Sequence, residues 1–181
     1  MTINKNNTKF DIDKYYLSEA LKKAVIAKKN GDIPVGAVIV YNENKKNHKM
    51  LEIVEKVGVA DGQVLASAYN KRNKNKDAIA HAEIIAISKA CKKIKDFRLE
   101  DCTMYVTLEP CQMCAGAIVQ SRIKRLVIGA KSIKAGSCGT IIDILDNNEF
   151  NHKVEVKYID DDNCKNILKS FFKEIRNGRG K

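Results

Sequence analysis

The strongest constraint on the fold of this chain is the alternation of short β-branched runs with longer helical segments. The runs that predict strands are PVGAVIVY (34–41), VLASAY (64–69), TMYVTL (103–108), RLVIGA (125–130) and VEVKYI (154–159). The segments that predict helices are 15–30, 78–94, 111–122 and 164–175. This alternation predicts a layered α/β domain with a partly parallel sheet.

The helical segments also carry signals for their ends. Asp11 or Asp13 is suited to cap the first helix, and Gly31 is expected to end it. Asp77 is suited to cap the second helix, whose apolar positions nearly encircle it and predict a central place in the fold. The apolar stripe of the first helix consists of Leu17, Ala20, Leu21, Ala24, Val25 and Ala27.

Two connecting stretches are polar and carry no clear strand or helix pattern. The stretch 43–63 is long and mixed in charge, and it fits either a loop or an extended hairpin with MLEIVEKVGV at its centre. The stretch NKRNKNKD (70–77) is polar and basic and predicts a loop. No repeat and no long linker divides the 181 residues, so we expect one domain with a sizeable core.

The net charge of +11 favours a polyanionic partner, most simply nucleic acid, although a general bias towards lysine explains it equally well. No apolar stretch approaches the roughly 20 residues that span a bilayer. The first ten residues do not resemble a secretory signal, so we expect a reducing, cytoplasmic setting. In that setting the six cysteines are better interpreted as thiols or metal ligands than as disulfides.

Two motifs at predicted helix starts carry the chemistry. Cys111 and Cys114 in TLEPCQMC fit a redox pair, half of a structural zinc knot, or half of a catalytic metal site. His81 in AHAEI adds an imidazole, and one imidazole with two thiolates suits zinc. Three protein ligands leave one position for water, which is the catalytic arrangement. The adjacent Glu83 can then take up and deliver protons.

The sequence resembles the bacterial tRNA-specific adenosine deaminases of the cytidine deaminase superfamily. The stretches that match in order are IPVGAVIV, AHAEIIAI, MYVTLEPCQMCAGA, SRIKRLVIGA and the late pair Phe171 and Phe172. They cover nearly the whole chain after the first ten residues. The stretches outside HAE and PCxxC matter most, because zinc deaminases of free bases and nucleosides share the metal motif.

The resemblance implies one zinc ion per subunit, bound by His81, Cys111 and Cys114, with Glu83 as the proton shuttle. A metal-activated water would attack C6 of adenine and release ammonia, producing inosine at the wobble position of an arginine tRNA. The implied fold is a three-layer α/β/α sandwich with a five-stranded mixed sheet. The implied partners are a tRNA anticodon stem-loop and a second copy of the chain, with no nucleotide cofactor and no membrane.

The resemblance also implies substrate contacts. Asn70 matches an asparagine that hydrogen-bonds the flipped base, and Ile33 and Pro34 match residues that line the base pocket. Phe171 and Phe172 match a terminal helix that encloses the anticodon loop, although both also fit plain core packing. Further candidates for phosphate contacts are Lys173, Arg176 and Arg179, which equally fit a solvated tail.

The domain is expected to span residues 11–176, with flexible termini at 1–10 and 177–181. Two departures from the family pattern stand out. The connection between the first two strands is longer than the family's tight turn by an insertion at about 44–63. Ser132 occupies a position where the family commonly has an acidic residue near the RNA backbone.

Two other functions compete with tRNA editing. One is deamination of a free base or nucleoside such as guanine or cytosine, which needs no basic surface. The other is a zinc-stabilised RNA-binding domain without catalysis, for which Glu83 would be dispensable.

Overall fold

The computed structural model describes residues 11–178, so the expectations for residues 1–10 and for Arg179 fall outside the described residues. The strands are β1 (Gly36–Tyr41), β2 (Val64–Tyr69), β3 (Cys102–Val106), β4 (Arg125–Ile128) and β5 (Glu155–Tyr158). The helices are α1 (Ile12–Lys29), α2 (His48–Lys56), α3 (Arg72–Asn75), α4 (Ala82–Ile94), α5 (Gln112–Gln120) and α6 (Asp162–Gly178).

The five strands form one mixed sheet in the order β2-β1-β3-β4-β5. Strand β1 pairs antiparallel with β2 and β3, whereas β3, β4 and β5 run parallel to one another. The parallel pairs are connected through helix α5 and through the long segment after β4, as parallel neighbours require. The predicted five-stranded mixed sheet is confirmed.

Alternate residues of β1 face two different layers of helices. Ala37 and Ile39 join the main core cluster, which includes residues of α4 and α5. Val38 joins a second cluster with Tyr16 and Ala20 of α1. Because successive side chains of a strand point to opposite faces, the sheet lies between two helical layers, as predicted for the α/β/α sandwich.

Helix α1 packs unusually close to the sheet. Asp11 caps it by accepting a hydrogen bond from the backbone N–H of Asp13, and Gly31 follows its end with a φ of 74°. A Cβ atom at Gly36 would lie 2.0 Å from the carbonyl oxygen of Ala20, so only glycine allows this approach.

In α1, only one residue of the predicted apolar stripe is exposed to solvent. Val25 is 40% exposed, whereas Leu17, Ala20, Ala24 and Ala27 are buried.

The insertion is the clearest difference from our expectation of a loop or hairpin, because it forms helix α2. Asn47 caps this helix through its side chain, and Met50 and Val54 are buried in the main core cluster. Their four-residue spacing places both side chains on one helical face, which offsets the cost of ordering the segment.

Helix α2 lies at the end of the sheet where β3 begins. Asn42, directly after β1, donates its backbone N–H to the carbonyl oxygen of Asp101 at 2.8 Å. The Asn47 side chain reaches the Asp101 carboxylate at 2.7 Å. Since β1 runs antiparallel to β3, this end is opposite to the carboxyl ends of β2, β3 and β4.

Three other boundaries differ from the sequence-based expectation. Helix α4 begins at Ala82 rather than near Ala78, because Asp77 accepts a hydrogen bond from Ile79 N–H in a separate turn. The predicted loop 70–77 contains the one-turn helix α3, and α6 spans Asp162–Gly178 instead of the predicted 164–175. Across residues 11–178, no helix combines the length and apolar character needed to cross a membrane.

Candidate metal centre and substrate cavity

The candidate site lies where the carboxyl ends of β2, β3 and β4 meet the segment that enters β1. In α/β sheets this edge is the usual place for a ligand crevice. Asn70 follows β2, Cys111 follows β3 after a short turn, and Ile33 precedes β1. The site is therefore built from loops that the sheet topology brings together.

Three side chains converge as candidate metal ligands. His81 Nδ1 lies 3.5 Å from Cys114 Sγ and 3.7 Å from Cys111 Sγ, and all three ligand atoms lie within 4.8 Å of one another. No fourth His, Cys, Asp or Glu joins the group among residues 11–178.

The spacing of these atoms fits a tetrahedral ion. Sulfur ligands at about 2.3 Å and a nitrogen ligand at about 2.0 Å from one tetrahedral zinc ion lie about 3.5 to 3.8 Å apart. The observed nitrogen–sulfur distances of 3.5 and 3.7 Å fall in this range. The three side chains can therefore hold a metal ion.

Helix N-termini supply two of the three ligands. His81 is the N-cap residue of α4 and Cys111 is the N-cap residue of α5, and neither uses its side chain to cap the helix. The positive end of a helix dipole favours a thiolate. A hydrogen bond with Cys114 lowers the pKa of Cys111 strongly, and the same bond raises the pKa of Cys114.

Asn70 takes over the capping that His81 does not provide. Its Oδ1 accepts a hydrogen bond of 2.9 Å from the backbone N–H of Ala82, the first residue of α4. Asn70 is buried and lines the cavity, and its Nδ2 makes no hydrogen bond within the described part of the chain. The amide therefore keeps a donor available for a ligand.

Glu83 is the second residue of α4, two residues after His81, and is only 3% exposed. Its Oε2 is buried without a hydrogen-bond partner among the described residues. Burial raises the pKa of this carboxyl. Buried polar atoms normally have partners, so an unpartnered carboxylate oxygen facing a cavity indicates a functional group.

A cavity of about 670 Å³ opens onto this cluster. Its lining includes His81, Glu83, Asn70 and Cys111, and its volume is within the range of about 300–1,000 Å³ typical of small-ligand sites. Basic residues line the remainder: Arg72, Lys131, Lys134, Lys165, Lys169 and Arg176. Of these, only Lys165 forms ion pairs with described residues.

The remaining predicted substrate residues divide between cavity and core. Ile33, Ser132 and Phe172 line the cavity, and Phe172 is 41% exposed. Pro34 is buried beside Ile33 but does not line the cavity, and Phe171 is only 6% exposed. Phe171 therefore packs inside, with its ring 5.5 Å from that of Phe172.

Glu109 was not among the predicted site residues, yet it is only 3% exposed and lines the cavity. Burial tends to raise the pKa of Glu109, but hydrogen bonds from the loop after β4 outweigh this effect and lower it overall. A charged residue between the apolar end of β3 and Pro110 was the available signal.

A family model described as MafB19-like deaminase matches residues 10–176 of this chain. The mixed sheet, the His-Cys-Cys cluster and this match define the chain as a deaminase.

Proteins with similar sequences show which family of deaminases this is. The tRNA-specific adenosine deaminase of Bacillus subtilis (strain 168) is 40% identical over 165 residues, covering 91% of this chain and 91% of that protein. The tRNA-specific adenosine deaminase of Aquifex aeolicus (strain VF5) is 36% identical over 163 residues, covering 90% and 95%. The chain belongs to the tRNA-specific adenosine deaminase family.

Solved structures show the same deaminase fold. A structure from studies of A-to-I editing by tRNA:A34 deaminases at the wobble position of transfer RNA superposes with a TM-score of 0.72 and 31% identity, covering 86% of this chain and 99% of that chain. The X-ray structure of guanine deaminase from Bacillus subtilis has a TM-score of 0.52 and 29% identity, covering 71% and 81%.

Proposed function

We propose that this protein deaminates adenosine to inosine hydrolytically at the wobble position of a tRNA anticodon loop. The observation that carries the proposal is Glu83 Oε2, a buried oxygen without a hydrogen-bond partner among the described residues, in a side chain that lines the same cavity as the three-ligand cluster. The names of the relatives supply the substrate class, with an arginine tRNA as the substrate expected from the resemblance.

The metal we propose is zinc, one ion per subunit, bound by His81, Cys111 and Cys114. Bound zinc acts as a Lewis acid that lowers the pKa of a coordinated water towards about 7. The group has three candidate ligands and no fourth among residues 11–178, which supports a catalytic over a structural zinc site, and its soft donor atoms suit zinc.

Glu83 is the proton carrier in this proposal. Its carboxylate takes a proton from the attacking water and gives it to N1 of adenine, and then carries the second proton to the departing amino group. The C6–O bond forms and the C6–N bond breaks, so adenosine and water become inosine and ammonia. Burial raises the pKa of this carboxyl, and its Oε2 has no hydrogen-bond partner among the described residues, so this oxygen is available to accept and release a proton.

Asn70 and Ile33 are proposed to orient the base. The free Nδ2 of Asn70 can donate to a ring nitrogen of adenine while Oδ1 remains bound to the start of α4. Ile33 offers an apolar wall on the same cavity. A base reaches such a depth only when it is unstacked, which is easiest in a single-stranded loop.

The rim of the cavity suits an RNA backbone. Five basic side chains there make no ion pair with described residues, and Phe172 offers an exposed ring for base stacking. This surface supports a nucleic-acid substrate over a free base. The homodimer stays a prediction from the resemblance, and the cytoplasmic location stays a prediction from the sequence.

The test compares an anticodon stem-loop carrying adenosine at the wobble position with free adenosine, cytidine and guanine. We expect inosine in the stem-loop and little turnover of the free compounds. Turnover of free guanine or a nucleoside, with none of the stem-loop, would reverse the assignment. Inosine mapping in total tRNA then defines which tRNAs are edited.

The variant Glu83→Gln separates catalysis from binding. We expect a loss of kcat of about 10²- to 10⁴-fold with zinc content and RNA affinity retained. Glu52→Gln, on the exposed face of α2, is the matched control and should behave as wild type. Unchanged kcat in Glu83→Gln would exclude Glu83 as the proton carrier. RNA binding by the wild-type protein without inosine formation would support an RNA-binding role without catalysis.

A further inference from the structure

One wall of the cavity is a loop that follows β4, residues 131–140, which we call the cavity loop. Five consecutive residues of this loop line the cavity: Lys131, Ser132, Ile133, Lys134 and Ala135. The loop contains no helix or strand between residues 131 and 140, apart from an isolated bridge at Cys138. Its position must therefore be fixed by contacts with neighbouring segments.

Those contacts converge on the Glu109 carboxylate. Oε2 accepts a hydrogen bond of 3.0 Å from Ser132 N–H, and Oε1 accepts bonds of 3.1 Å from Cys138 N–H and from Thr140 N–H. One buried carboxylate thus binds both ends of the cavity loop. A carboxylate that accepts several N–H bonds is strongly held in place.

The backbone on either side of Glu109 reinforces this attachment. Glu109 N–H donates to the Ala130 carbonyl at 2.8 Å, and Ser137 N–H donates to the Pro110 carbonyl at 2.9 Å. Because Cys111 follows directly, the segment that begins the metal-binding helix is the same segment that holds the cavity loop.

Gly136 provides an independent sign that the carboxylate and the loop are closely fitted. A Cβ atom at this position would lie 2.4 Å from Glu109 Oε2 and 2.6 Å from the Ser132 carbonyl oxygen. Any side chain at position 136 would therefore displace the carboxylate or the loop, and both contacts are too short for real atoms.

We propose that Glu109 is a positioning residue that holds the cavity loop in its substrate-ready place, so that RNA does not have to order the loop on binding. It acts through the loop backbone and touches neither metal nor reacting atoms. The role rests on the proposed RNA substrate. Without this attachment, binding would carry the entropic cost of ordering the loop.

The test uses Glu109→Gln and Gly136→Ala in the zinc-loaded full chain, with Gly116→Ala as control. A Cβ at Gly116 meets nothing within 4 Å, so this variant makes the same substitution without a clash. For both test variants we expect KM for the stem-loop to rise about tenfold with kcat changed less than about threefold. Partial unfolding would instead lower apparent kcat and leave KM unchanged.

Amide hydrogen exchange measures whether the cavity loop is held in place, independently of catalysis. Amide exchange of Ser132, Cys138 and Thr140 in the free enzyme should become about tenfold faster in both test variants, and stem-loop RNA should slow it again. Exchange in β3 and α5, and zinc content, should match the control. Unchanged KM, loss of zinc, or faster exchange across the whole chain would each overturn the proposal.

The proposed editing function and the proposed positioning role of Glu109 can be refuted independently. If the wild-type protein does not edit RNA, the function proposed above is wrong, whereas local exchange in the cavity loop still reports whether Glu109 holds it. Wild-type editing with unchanged KM in Glu109→Gln overturns only the positioning role.

Discussion

Asp13, on the opposite side of the sheet from the metal centre, offers a sharp stability prediction through Asp13→Ala. Its carboxylate is 6% exposed and accepts hydrogen bonds of 2.7 and 2.8 Å from the Arg125 guanidinium. Lys157 Nζ at 2.7 Å and Tyr105 Oη at 3.1 Å complete the network.

The three partners of Asp13 contribute unequally to the free energy of unfolding that Asp13→Ala would lose. Lys157 is 48% exposed and will be solvated again, at a cost of under about 1 kcal/mol. Arg125 is only 22% exposed, and Tyr105 is 2% exposed, so their unpaired groups account for most of the loss. We expect a loss of about 3 to 4 kcal/mol, since breaking a buried pair costs more than an exposed one.

Urea unfolding at pH 7 measures this loss, and a thermal midpoint lower by about 10 °C should accompany it. Glu155→Gln is the control, because Glu155 binds the same arginine at 3.1 Å but is 68% exposed. We expect under about 1 kcal/mol for that control. A loss below about 1 kcal/mol in Asp13→Ala would refute the apportionment.

The dependence on pH provides a second check. The hydrogen bonds with Arg125 hold the pKa of Asp13 well below its usual range. Its stabilisation is therefore complete above the unfolded pKa of about 3.9 and is lost as pH falls towards the depressed folded value. The difference between wild type and Asp13→Ala should be constant from pH 7 to 5 and shrink below about pH 4. A difference that grows at low pH would contradict this account.

Two further outcomes test the fold and the metal centre. Met50→Ala should cost about 2 to 4 kcal/mol in urea unfolding while kcat and KM for the stem-loop stay at wild-type values, because Met50 is buried far from the cavity. Removing the metal with a chelator should abolish inosine formation and lower the thermal midpoint, and zinc should restore both. Zinc content measured by elemental analysis should fall with decreasing pH, because protons compete for His81 and both thiolates.

Much of the fold was predictable because its signals are local. The five strands are short apolar runs bounded by turns or helices, and each was found within a few residues of its expected limits. The proximity of His81 to Cys111 and Cys114 was also predictable, because both motifs sit at helix starts that the sheet topology brings to one edge.

The features that sequence reasoning missed depend on distant partners. Helix α2 is specified by how Met50 and Val54 meet the core, and this cannot be determined from a short stretch of mixed charge. The role of Glu109 depends on amides that lie 23 to 31 residues further along the chain. Asp77 is also suited by its residue type to cap a longer helix, and only the structure shows that its side chain instead accepts a hydrogen bond in a separate turn at Ile79.

The place of helix α2 has a practical consequence. The turn before this helix carries the exposed residues Lys45 and Lys46, at the end of the sheet away from the cavity mouth. A fluorescent protein inserted between them would lie at the opposite end of the sheet from the cavity and would leave the cavity open. The chain thus offers an insertion point for a label that follows the protein in living cells.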